Sequence, residues 1–207
     1  MPTGSVPVVV TEGNGWHEQP GDRAELDVGY AATGPDRATA VAELGRRVAA
    51  ADPALQHPAL EVRHRRLWVN AEWRDDRVVG CRAAMDIALV VAAAPALEEV
   101  LAALVATEPA QLHGPRWSLH DRSAARAEAQ RRAVADARAR AEGYAAAVGG
   151  RLGPLLALRE LADEGPVAYR MAARAEAAPD VRDLGLEPEP VRVTARCATT
   201  WELLSSA

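Results

Sequence analysis

The chain has 207 residues, a formal net charge of −5, and 49% hydrophobic against 26% charged residues. That is enough chain to bury a real core in one large domain or two small ones. The acidic balance argues against nucleic acid, whose phosphates need a basic footprint. The longest apolar run, Ile87 to Ala94, is too short to span a bilayer. Every fixed cation is an arginine, since the chain has no lysine, and it has no phenylalanine.

In chain order, Val6 to Thr11 is β-branched and predicts a first strand, followed by a turn at Gly13-Asn14-Gly15. A second strand is expected from about Arg23 to Thr33, with Ala24, Leu26, Val28, Tyr30 and Ala32 on its buried face. Thr33-Gly34-Pro35-Asp36 signals a helix start. That helix presents Val41, Leu44 and Val48 inward and ends before Asp52-Pro53. Strands over Leu60–Trp73 and from Val78 onward flank Asp75-Asp76 and read as a hairpin. Pro95 opens a second helix with Leu97, Val100, Leu101, Leu104 and Val105 inward. A short strand over about Arg116 to His120 comes next.

Asp121 or Ser123 caps the longest helix, which runs to about Val148 with Ala127, Val134, Ala137, Ala141, Tyr144 and Val148 as its inner stripe. Gly149-Gly150 stops it. Leu152 to Leu161 is strand-like, residues 163–190 read as a long loop or arm with room for a short helix across Tyr169–Ala177, and Val191 to Leu203 alternates as a final strand. The order is ββα-ββα-βα-ββ. It predicts one α+β domain over residues 1–207, an antiparallel or mixed sheet with about three helices on one face.

Cys81 and Cys197 match no zinc or Cys-x-x-Cys spacing; both fall on apolar strand faces, and a bridge between them requires those strands to be neighbours. The five histidines, His17, His57, His64, His113 and His120, include no helical metal pair. Ser118 and Ser123 lack a nucleophile-elbow context, and Gly13-Asn14-Gly15 lacks the remainder of a dinucleotide fingerprint. The basic cluster Arg63-His64-Arg65-Arg66 reads as a solvated strand face or bulge. Trp16 and Trp73 lie in expected turns and Tyr169 on the expected arm; these three are the candidate interface residues.

Several blocks in order resemble the SIMPL-domain family. They are Val9-Val10-Thr11-Glu12-Gly13-Asn14-Gly15 followed by Pro20, Asp22, Ala24, Leu26, Val28 and Gly29; Gly80-Cys81-Arg82-Ala83; Trp117-Ser118-Leu119; and Arg132 to Glu142, followed by Gly149, Leu152-Gly153 and Leu158. Cys81 stands where the family usually has Tyr, and Trp16-His17 where small or acidic residues are commoner. The resemblance implies a domain that works by association: the family includes ring-forming periplasmic proteins, a kinase-binding adaptor and members linked to oxidative-stress tolerance. It supplies no catalytic residue.

The expectation is therefore a non-enzymatic protein without cofactor or metal, forming a homo-oligomer or binding a protein partner, with no membrane span. Met1 to Ser5 carries no signal-peptide pattern, so a cytoplasmic location is expected, although most bacterial relatives are exported. A small-ligand module using the sheet face and tryptophans is the alternative. A hydrolase built on His113, His120 and Asp121 is a further one.

Overall fold

The computed structural model describes residues 6–162 and 185–205. The expected helix across Tyr169–Ala177, and all of the arm but its last residues, lie outside the described residues. The elements are β1 (Val8–Pro20), β2 (Arg23–Gly34), α1 (Arg37–Leu55), β3 (Leu60–Arg74), β4 (Arg77–Val91), a 3₁₀ turn (Ala94–Ala96), α2 (Leu97–Val105), β5 (Gln111–Ser118), α3 (Ser123–Ala147), β6 (Gly150–Leu161) and β7 (Pro190–Ser205). The chain is α+β, but its strands divide between two sheets, ordered β1-β7-β6 and β3-β4-β2-β5. The sheets belong to two compact units, the first built from residues 6–19, 121–162 and 190–205, the second from residues 20–120 and 185–189.

In the second unit, β2 pairs antiparallel with both β4 and β5, and β4 pairs with β3. Alternate residues of β2 and β4 point at α1, as their period-two pattern predicts. Leu26, Val28, Tyr30, Ile87, Leu89 and Val91 are all buried there. The Asp36 carboxylate caps α1 by accepting the Thr39 N–H at 2.8 Å, and this bond holds its pKa below the usual aspartate range. The helix continues through Pro53 to Leu55, past the expected stop, and buries Ala40, Leu44, Val48, Ala51 and Leu55. Val41 and Val105, both expected inward, are exposed. The Tyr30 hydroxyl meets the Thr107 hydroxyl at 2.7 Å. Burial raises its pKa, a shift that this bond opposes.

The first unit is assembled on small residues. β1 runs through Gly13-Asn14-Gly15 as continuous strand, where the sequence reads as a turn. The reason is α3, whose buried residues are Ala125, Ala129, Ala133, Ala137, Ala141 and Ala145. This strict four-residue spacing forms one ridge along the helix, and every ridge residue is an alanine. A Cβ on Gly13 would lie 2.0 Å from the Ala133 carbonyl oxygen, and one on Gly15 would lie 2.1 Å from that of Ala129. Glycine on the strand and alanine on the helix thus bring two backbones into contact. Val134 is only partly buried, and Ala127, Tyr144 and Val148, which the apolar pattern places inward, are exposed. Gly149, at φ 70°, ends the helix as expected.

A buried polar chain ties β1, β7 and α3 together. The Thr11 hydroxyl donates to the Ala137 carbonyl at 2.8 Å. Trp201 Nε1 donates to Thr199 Oγ1 at 2.9 Å, and the Thr199 hydroxyl reaches the Thr11 hydroxyl and carbonyl at 3.1 and 3.3 Å. Thr199→Val keeps the shape but leaves the buried indole N–H without its acceptor. It is expected to lower stability by about 1–3 kcal/mol, read from urea unfolding. Cys197 also lies in this core; burial pushes its thiol pKa up. Cys81 and Cys197 are both buried and free, and they sit in different sheets, so the neighbouring-strand condition for a bridge is not met.

Candidate interaction surface

Trp16 lies mid-strand in β1, not in a turn, and remains 46% exposed. The Arg192 guanidinium stacks on its ring at 4.5 Å, with Arg132 at 5.8 Å. Arg132 also donates to the Trp16 carbonyl at 2.9 Å, and Arg192 donates to Glu18 at 2.7 Å. Glu128 accepts from both Arg131 and Arg132, which hold its carboxyl below the usual range. Trp16 is therefore engaged by cations of its own unit, a contact worth about 0.5–1 kcal/mol at an exposed site.

Nearby, Asp136 accepts the Asn14 N–H at 3.0 Å and pairs with Arg140 at 3.1 Å. The Asn14 bond is the largest cause lowering its pKa, with Arg140 adding to it. A carboxylate with a depressed folded-state pKa contributes stability that is full above its unfolded pKa and lost as pH falls through the folded one. Urea midpoints of the natural chain should therefore drop as pH falls below about 4. Asp136→Asn should be less stable at neutral pH and show a shallower drop below it.

The β3–β4 hairpin offers the larger surface. Asp75 and Asp76 adopt φ of 48° and 60°, the left-handed pair that a two-residue hairpin turn requires. Trp73 faces Val78 in register beside that turn. Trp73 is 67% exposed, and Leu67, Trp68, Val78 and Val79 are also large, apolar and exposed. Two register shifts interrupt the ladder, one between Val62 and His64 and one between Glu72 and Trp73. The first makes Arg63 the extra residue, so the basic cluster is an exposed strand face containing a bulge, as the sequence suggests. The second makes Val79 extra and turns Val78 and Val79 both to solvent. Tyr169, the third candidate interface residue, lies outside the described residues.

His113 faces Asp27 across β5 and β2. The His120 backbone N–H donates to Asp22, while the Asp121 carboxylate takes both the N–H and the hydroxyl of Ser123 at 2.8 Å. Among the described residues, no three His, Cys, Asp or Glu side chains cluster as metal ligands. A shallow groove of about 480 Å³ beside α1 and α2 is lined by Ala50, Pro53, Ala54, His57, Thr107 and Glu108, among others. Its His57 Nδ1 already accepts from Ala59, and its Thr107 hydroxyl is shared between Leu104 and Tyr30. No helix among the described residues is long and apolar enough to cross a membrane.

Two antiparallel sheets, each with a helix packed against it, define an α+β protein. The family model described as SIMPL, protein of unknown function (DUF541), matches residues 9–201, and the chain belongs to that family. No curated protein matches the chain.

Proposed function

We propose that this protein works by binding protein chains, its own copies included, and not by catalysis. The observation that carries this reading is the β3–β4 hairpin, where Leu67, Trp68, Trp73, Val78 and Val79 expose large apolar side chains on one projection. Exposed large apolar side chains, tryptophan above all, are common at protein interfaces. The β3 edge adds a row of backbone groups open to another strand. The double variant Trp73→Ser/Val78→Ser removes the apolar tip without touching the core. The natural chain should show a native mass above 22.0 kDa by light scattering, or recover a defined protein from lysate that the double variant loses. If the natural chain is a single chain and both proteins recover the same material, the reading fails.

A further inference from the structure

β1 carries Asn14 directly before Gly15. In this pair a backbone nitrogen is least hindered in attacking the side-chain amide before it, because glycine has no Cβ and turns freely. The packing admits no other residue at position 15, since an added Cβ would meet the Ala129 carbonyl oxygen at 2.1 Å. The contact that seats α3 on the sheet therefore also fixes a chemically labile pair in the strand beneath it.

The seated helix keeps the pair unreactive. Along a strand, successive residues face opposite sides of the sheet; Asn14 is exposed and Gly15 is buried against α3. Ring closure needs the Asn14 Cα–C bond to rotate away from its extended value, and that rotation takes Gly15 off the helix. α3 opposes it with hydrogen bonds on both sides of the pair. The Thr11 hydroxyl donates to the Ala137 carbonyl at 2.8 Å, the Asn14 N–H to Asp136 at 3.0 Å, and the Arg132 guanidinium to the Trp16 carbonyl at 2.9 Å. The apolar hold beneath them is slight. The core cluster along α3 is Ala129, Ala133, Ala137, Ala195 and Cys197, where the second unit buries leucines, valines, Ile87 and Tyr30. With so little apolar area holding it, α3 belongs to the segments that open well before the whole chain unfolds.

We infer that Asn14–Gly15 is a deamidation site that the seated α3 keeps closed and that converts when α3 lifts. The Gly15 nitrogen bonds to the Asn14 side-chain carbonyl carbon, the C–N bond of the amide breaks, and ammonia leaves with the proton that Gly15 gives up. Water then opens the five-membered succinimide at either carbonyl, to aspartate or to isoaspartate; nothing is oxidised or reduced. Isoaspartate routes the main chain through the Asn14 Cβ and lengthens it between Gly13 and Gly15. The two glycines then no longer meet the Ala133 and Ala129 carbonyls together, so conversion holds β1 and α3 apart.

The test incubates the full chain in mildly alkaline buffer, with and without denaturing urea, and follows residue 14 by peptide mass and by fragmentation that separates isoaspartate from aspartate. Conversion in buffer should be at least about 10-fold slower than in urea. Thr199→Val, which loosens the same core, should convert about 5-fold faster or more than the natural chain in buffer and at the same rate in urea. Gly143→Ala, a helix-favouring change with open space around it, should slow conversion in buffer. Asn14→Gln, whose side chain is one carbon too long for the five-membered ring, should show none at that position. No conversion in urea, equal rates in buffer and urea, or rates in buffer that neither Thr199→Val nor Gly143→Ala moves would overturn the inference. In the isoaspartate fraction, amides from Thr11 to Trp16 should exchange faster than in unconverted protein; equal exchange overturns the holding-apart step.

Discussion

Gly15→Val should remove about 3 kcal/mol or more of stability, at the upper end of what overpacking costs, and should expose the sheet of the first unit to solvent. The added Cβ alone would meet the Ala129 carbonyl oxygen at 2.1 Å and the Ala133 amide nitrogen at 2.4 Å. These are backbone atoms of α3, so no rotamer change relieves the clash; the helix must move off the sheet. Moving it also breaks the Thr11–Ala137 hydrogen bond and the Asn14–Asp136 bond. Gly143 supplies the contrast. It lies on the same helix with open space around it, so Gly143→Ala should stabilise by about 0.5–1 kcal/mol through helix propensity and reduced unfolded-state entropy. Urea unfolding of the two variants should shift in opposite directions.

Leu44→Ala should cost about 2–5 kcal/mol, the range for a buried leucine whose site cannot fully collapse. Leu44 is buried among β2, β4 and α1 side chains in the second unit's core. Its neighbour Val41, inward by apolar spacing alone, is exposed on the same helix, and Val41→Ala should fall within about 0.5 kcal/mol of the natural chain. Thermal and urea midpoints of the pair separate real burial from apparent periodicity.

Much of the architecture was legible in the residues. The element order, the β3–β4 hairpin with its two aspartates and the alternation of β7 all follow from period and turn chemistry. Three things were not. Gly13-Asn14-Gly15 looks like a turn because a glycine's freedom is visible in sequence, while its thinness matters only once a helix lies across it. The α3 stripe is only partly legible for a related reason: Ala137 and Ala141 are buried as expected, but the rest of the ridge is not the bulky apolar set. Apolar bulk pointed to Val134, Tyr144 and Val148, but the packing selects residues small enough for backbone approach, and alanines occur all round that helix. A spacing of exact fours between Ala125 and Ala145 was the available signal. The division into two sheets has no local signature, because β1 and β7 lie far apart in sequence.

The hairpin tryptophan was readable, since Trp73 sits beside an obvious turn. The cation stacking on Trp16 was not, because Arg132 and Arg192 come from distant segments. The ladder from His64 to Glu72 depends on where β4 shifts register, and no strand carries that information alone.

The most direct measurement is backbone amide exchange, residue by residue, at protein concentrations of about 1 µM and about 100 µM. Slower exchange at the higher concentration, concentrated in the β3–β4 hairpin, is the expected result. Exchange in the hairpin that is the same at both concentrations, or protection that appears only elsewhere, would contradict self-association through it.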